Sequence, residues 1–260
     1  MAVVVHPSSV IEPGAQLGEN VTIGPFCLVG PEVTLGDGVD LKSHAVVSGW
    51  TEVGAGSVIF PHATVGGVPQ DLKYKGERTR LIVGARNRIR EGATLNLGTE
   101  GGGGITCVGD DNLFMAGSHV GHDAILGSRI VVANCAAIAG HCQIGDDVII
   151  GGLSGIHQWV RIGRGAIIGA VTMVTNDVIP YGLVQAQRGE LDGLNLVGLK
   201  RRGLDRAAIH ALRHAFEELA KGEGSFADRA RRLVDSQTPE VAEIAAFILQ
   251  SSDRSFLTPK

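Results

Sequence analysis

The chain has 260 residues, 38 of them glycine, and is 44% hydrophobic but only 4% aromatic; its formal net charge is −4. That apolar content excludes a disordered chain, and glycine does not fall at every third position as collagen requires. The near-neutral balance argues against general nucleic-acid binding, and no uninterrupted apolar run approaches the ~18 residues of a membrane span.

From Met1 to Pro13 no basic segment precedes an apolar one, so no export signal is visible and a cytoplasmic protein is expected. Starting at Ile11, every sixth residue is aliphatic through Leu17, Ile23, Val29, Leu35, Leu41, Val47, Val53, Ile59 and Val65. Glycine often follows this position, and the residue four beyond it is usually small, as at Ala15, Cys27, Ala45, Ser57 and Ala63. The register returns at Val83, Ile89 and Leu95, shifts by one, and then runs from Val108 to Val174. A period of six fits neither a helix at 3.6 nor a plain alternating strand. It fits short strands joined by tight turns, three to a coil of eighteen residues, with coils stacked about 4.8 Å apart as a parallel β-helix. The pattern resembles the left-handed hexapeptide-repeat β-helix, and the hand comes from that resemblance.

Two segments break the register. Val68 to Arg80 is charged and reads as a loop leaving the prism, and Glu100 to Gly104 is a glycine run without the strand–loop–helix context of a phosphate cradle. The β-helix is therefore expected over 1–180, with excursions at 68–80 and 100–104. A small helical domain is expected over 181–260. Leu204, Ile209, Leu212, Phe216 and Leu219 have helical spacing, with Asp205 to cap the start and Gly222 the end. Phe226 to Val234 could form a second helix, and Thr238-Pro239-Glu240 opens a third. Cys27, Cys107, Cys135 and Cys142 lack CxxC spacing and read as small core side chains in a reducing compartment.

Coil arithmetic gathers polar residues on one side of the prism. Val120, Ile138 and Ile156 lie eighteen apart, so their hexads stack. His119, His122 and Asp123 flank the first, His141 follows the second, and His157-Gln158 follow the third. A near-neutral imidazole beside a carboxylate suits a general base, and no serine or cysteine stands in an evident nucleophile motif. Direct attack by a deprotonated substrate is the simpler chemistry. His119 and His122 are too close together for the zinc-ligand spacing of hexapeptide-repeat carbonic anhydrases, so no metal is expected. A non-catalytic prism such as an ice-binding protein would want regular threonine rows, and the outward positions here are mixed.

Several segments carry a closer resemblance: IGPFCLVGP from Ile23, LKSH from Leu41, QDLKY from Gln70, RNRIRE from Arg86, HVGHD from His119, AGH from Ala139, HQ at His157 and GLKRRG from Gly198. Over essentially its whole length the chain resembles the UDP-N-acetylglucosamine O-acyltransferases that begin lipid A synthesis. The later N-acyltransferase of that synthesis usually carries an extra N-terminal domain, for which the early start of the repeat leaves no room. The resemblance implies a homotrimer with its active site between neighbouring prisms. It implies transfer of an (R)-3-hydroxyacyl chain from acyl carrier protein to the 3-position of the UDP-sugar, with no cofactor beyond the donor's phosphopantetheine. His122 would be the general base, Asp123 its orienting partner, and the Gly140 N–H an oxyanion donor. His141 would contact the donor's 3-hydroxyl. Asp71 and Lys73 would hold the sugar and its phosphate side, with His119, His157 and Gln158 around the sugar nucleotide. Asn195, Arg201 and Arg202 would reach the nucleotide from a neighbouring subunit. Ala170 falls at the position that limits acyl length and implies C12 to C14. Asn96-Leu97 stands where well-known members have His-Arg, which opens the alternative of a 3-amino acceptor and an amide product. Val197 stands where they have a glutamate near the ribose. Arg78, Arg80, Arg86, Arg88 and Arg90 form a basic cluster that could attract an acidic carrier protein.

Overall fold

A computed structural model describes residues 2–185, 189–252 and 254–259. Among them the strands form three sheets of 11, 9 and 8 strands, the walls of a triangular, left-handed parallel β-helix. Most strands are two residues long, the first facing out and the second buried, as the hexad pattern demands. Val21, Val33, Val39, Ala45 and Ala63 are fully buried as well, so each hexad contributes one aliphatic and one small side chain to the interior. A prism of constant cross-section has little room for rings, which accounts for the low aromatic content; Phe114 is a fully buried exception.

Register follows the eighteen-residue step: Val4 pairs with Thr22, Thr22 with Asp40, and Asp40 with Val58. Val58 then pairs with Arg88 and Arg88 with Leu113, after which the regular step resumes with Val131. The two longer steps contain the two excursions. Arg80 already belongs to the strand Arg80–Val83, which pairs with Trp50–Val53 and Ile105–Val108 and so closes the first excursion. Glu100–Gly102 is a single 3-10 turn.

The sheet continues beyond residue 180. Gly182–Gln185 pairs in parallel with the strand Ile167–Ile168 and turns back against Glu190–Leu194. The helical part therefore starts at Leu196 rather than 181, because this hairpin extends the wall that would otherwise end at Ile167–Ile168. Its helices are α1 (Leu196–Arg201), α2 (Arg206–Lys221), α3 (Phe226–Arg231) and α4 (Pro239–Leu249). Asp205 caps α2 by accepting from Ala208 N at 2.7 Å. Gly222 ends α2 at φ −63°, so the left-handed cap is not what calls for glycine; a Cβ there would lie 2.6 Å from the Glu218 carbonyl oxygen. Past α4 the chain returns to the prism, where Ser255 O accepts from Asp177 N and Asp177 O from Leu257 N. Among the described residues no helix is long and apolar enough to cross a membrane.

Candidate active site

Strands His119–Val120, Ala137–Ile138 and Gly155–Ile156 stack in register, so the turns after them form one corner of the prism. Asp123, His141 and Trp159 occupy equivalent corner positions, eighteen residues apart, each with positive φ between 59° and 69°. This left-handed backbone recurs along the prism at Phe26, His44, His62, Cys135 and Leu153, so it belongs to the corner geometry of the fold.

Asp123 is the electrostatic centre of the corner. Its carboxylate is fully buried and accepts from Thr99 N at 2.7 Å, Thr99 Oγ1 at 2.6 Å and His122 Nδ1 at 2.8 Å. Its own N–H donates to Thr106 Oγ1. Because a carboxylate only accepts, the His122 Nδ1 carries the proton and Nε2 is left with its lone pair. The His122 ring is held on its remaining sides. His141 meets it edge-on, at 4.9 Å between centroids, and His141 in turn stacks on Trp159 at 3.9 Å. A Cβ on Gly140 would lie 2.6 Å from His122 Cε1 and 2.7 Å from Nε2, so glycine is what lets the backbone approach the imidazole. Among the described residues no backbone acceptor is paired with the Gly140 N–H.

The second excursion has a related role. A Cβ on Gly102 would collide with the Asp123 carboxylate, so glycine at this one place lets the turn pack directly against the buried acid. Burial holds the titration of His141 below the ordinary imidazole range, against the opposing pull of Asp123. Burial likewise lowers His119, whose Nδ1 shares a hydrogen bond of 2.8 Å with Thr94 Oγ1. Cys142 is no nucleophile: burial pushes its thiol up to about 12, and it donates to the His157 carbonyl. His122, Asp123 and His141 offer donor atoms within 4.8 Å of one another, and these could hold a cation. A cation on Asp123 would compete with the three hydrogen bonds that the carboxylate already accepts.

Two recesses flank this corner. A groove of about 310 Å³ is lined by His119, His122, Gly140, His157, Gln158 and Asn96, together with Gln70 and smaller residues. A second recess of about 160 Å³ lies between Asp71, Lys73 and Tyr74 of the first excursion and Thr99, Glu100, His141 and Trp159. The imidazoles thus stand between a polar groove and a charged recess.

Residues 177–257 match the family described as "Udp N-acetylglucosamine O-acyltransferase; Domain 2", and residues 14–49 match "Bacterial transferase hexapeptide (six repeats)". An acyl-[acyl-carrier-protein]–UDP-N-acetylglucosamine O-acyltransferase from Rhizobium johnstonii is 47% identical over 98% of this chain and 94% of its own. One of the same name from Paracoccus denitrificans is 66% identical over 75% of this chain and 74% of its own. This chain belongs to the UDP-N-acetylglucosamine O-acyltransferase family. A solved UDP-N-acetylglucosamine acyltransferase from Campylobacter jejuni superposes with a TM-score of 0.93 at 36% identity, covering 98% of this chain and 100% of that one.

In this acyltransferase the other sequence-selected residues lie apart from the imidazole corner. Asn195 caps α1, accepting from Gly198 N and donating to Gly165 O. The Arg202 guanidinium lies over the Tyr181 ring, and Arg201 is exposed. None of Asn195, Arg201, Arg202 and Ala170 lines either recess. Much of the basic cluster is internally paired: Arg80 with Glu52, Arg86 with Asp111 and Arg90 with Glu91. Arg78 lies over the Trp50 ring. Thr99, Thr106 and Trp159 are not among the residues the sequence points to, and Gly102 is visible there only as part of a glycine run. Trp159 was within reach, since eighteen residues from Asp123 give His141 and eighteen more give Trp159. The others act from excursions and neighbouring coils whose lengths the repeat does not set.

Proposed function

We propose that this enzyme transfers an (R)-3-hydroxyacyl group from acyl carrier protein to the 3-hydroxyl of UDP-N-acetylglucosamine, the opening step of lipid A synthesis. The observation that carries the proposal is the buried Asp123–His122 pair with its free Nε2 beside Gly140 at a groove. Nε2 removes the proton from the sugar hydroxyl as its oxygen attacks the thioester carbonyl. The carbonyl oxygen takes the negative charge, and the Gly140 N–H donates to it. As the tetrahedral intermediate collapses, the carbon–sulfur bond breaks and the imidazolium returns its proton to the departing phosphopantetheine thiolate. Asp123 holds the required tautomer and balances the imidazolium charge. The donor is an acylated carrier protein, so the chain needs no cofactor of its own.

The remaining assignments follow the same reading. His141 meets the donor's 3-hydroxyl, Asp71 and Lys73 hold the sugar and its phosphate side, and His119, His157 and Gln158 surround the sugar nucleotide. Asn195, Arg201 and Arg202 reach the nucleotide of a neighbouring protomer in a cytoplasmic homotrimer, which agrees with their distance from the corner of their own chain. Ala170 limits the acyl chain to C12 to C14, and any unpaired face of the arginine cluster receives the carrier protein.

Asn96 supports a second acceptor. Asn96 lines the groove, its buried Oδ1 has no partner among the described residues, and its Nδ2 reaches Gly67 O only at 3.4 Å. A neutral amide at this place in the groove brings no titratable group to the acceptor, which suits an amine, a stronger nucleophile than the hydroxyl. The test is acyl transfer by the purified protein from C10 to C16 3-hydroxyacyl carrier proteins to UDP-N-acetylglucosamine and to its 3-amino analogue. His122→Ala should lower turnover by about 10²- to 10⁴-fold. Equal turnover by His122→Ala would remove the general base, and no turnover by the wild type with any pair would remove the enzyme reading. No turnover of the amine would remove the second acceptor.

A further inference from the structure

Resting on the reading of the groove as the sugar-nucleotide site, we infer that Arg254 is a positioning residue that sets the tautomer of His157. The Arg254 Nη2 lies 2.9 Å from His157 Nδ1 and 3.2 Å from the Gln158 carbonyl oxygen. A guanidinium has only donors, so a proton on Nδ1 would set two donors against each other at that distance. Nδ1 therefore accepts, and the ring proton is on Nε2. The competing arrangement, in which Nδ1 donates to Gln158 O at 3.1 Å, is displaced because Nη2 supplies one N–H to each of the two acceptors.

The arginine is anchored from within the fold. Asp177 is fully buried and accepts from Arg161 N and Nε, both at 2.8 Å, and from Ser252 Oγ at 2.5 Å. Ser252 Oγ then accepts from Arg254 N at 3.1 Å, and Ser251 O accepts from Arg161 Nη1. On the other side, Cys142 Sγ donates to His157 O at 3.1 Å. The backbone of His157 and that of its donor are thus each tied to groups anchored in the fold. The result is an Nε2–H at the rim of the groove, suited to a phosphate or carbonyl oxygen of the sugar nucleotide. His157 is then a fixed donor and His122 a fixed acceptor at Nε2, opposite tautomers set by Arg254 and Asp123.

Two variants and one spectrum test this in the full-length enzyme. Arg254→Met keeps an unbranched apolar stem but loses the donor, and Arg254→Lys restores one. The expected result for Arg254→Met is a rise of about tenfold in KM for the sugar nucleotide with kcat and acyl-donor KM little changed, the loss of one hydrogen bond to substrate. Arg254→Lys should recover most of it. Nitrogen-15 NMR of wild-type His157 should show an unprotonated Nδ1, and Arg254→Met should mix the tautomers. An unchanged KM in Arg254→Met, a loss confined to kcat, or a protonated Nδ1 in the wild type would each overturn the inference. Wild-type protein without sugar-nucleotide turnover would instead overturn the functional reading, while the NMR measurement would still decide the role of Arg254.

Discussion

Replacing Gly140 with alanine isolates the close approach on which the His122 geometry depends. The new Cβ would lie 2.6 Å from Cε1, 2.7 Å from Nε2 and 3.0 Å from Nδ1 of His122. Carbon contacts settle near 3.5–4.0 Å, so the ring would have to retreat by about 1 Å. It has little freedom to do so, since Asp123 holds Nδ1 at 2.8 Å and the His141–Trp159 stack closes another side. Overpacking of this kind costs about 1–3 kcal/mol of stability. A displacement of about 1 Å at a reacting group costs about 100-fold in rate. Gly140→Ala should therefore lose about two orders of magnitude in kcat/KM while remaining folded. The backbone N–H survives the substitution, so the loss would come from the moved imidazole and not from a missing oxyanion donor. Gly155→Ala is the control: it lines the same groove, but its Cβ would meet only Met173 Sδ at 3.6 Å and Cε at 4.0 Å, and it should keep most of the activity. Steady-state acyl transfer and a thermal melt suffice. A folded Gly140→Ala enzyme within threefold of wild type would refute the steric argument.

Two further outcomes concern stability. Asp177→Ala would leave the Arg161 guanidinium, whose side chain is only 10% exposed, without its buried partner, and should cost about 3–5 kcal/mol in a denaturant titration; a loss below about 1 kcal/mol, the range of an exposed pair, would contradict the burial argument. His119 and His141 both titrate below 6.5 in the folded protein because burial disfavours their charged forms. The unfolded chain therefore binds more protons as pH falls below about 6.5, so stability is complete above that pH and declines through the folded values. Denaturation midpoints between pH 7.5 and 5.5 should fall, and His119→Gln should flatten the decline; stability rising on acidification would show the opposite sign.

The hexad pattern made the prism, its register and the imidazole corner legible, because a strictly periodic fold converts sequence distance into spatial distance. His122, Asp123 and His141 could be brought together by counting. What counting could not reach lay where periodicity stops. Thr99 and Gly102 hold Asp123 from an excursion whose path depends on its own contacts. Arg254 reaches His157 across 97 residues, through a tail placed by the Arg161–Asp177 pair and not by any repeat. The hairpin over Gly182–Gln185 and Glu190–Leu194 was hidden by the end of the hexads, since an antiparallel closing pair has no eighteen-residue partner beyond it. Inside the prism, Asn87 and Asn112 occupy buried positions by donating to one carbonyl of their own turn and one of the next coil, which a search for small apolar residues passes over.

The eighteen-residue register also means that length added within the walls, and not looped out as the two excursions are, is tolerated only in whole turns. A segment of eighteen residues inserted after Ile144 would raise everything beyond it by one layer of about 4.8 Å, keeping each side chain on its wall. Six residues at the same point would turn the later coils by a third of a revolution. The His122–Asp123 pair would be unmoved, but His157, Trp159 and the Arg161–Asp177 anchor would arrive on a different wall. Depth along this prism is therefore adjustable in discrete steps, while angular position is fixed.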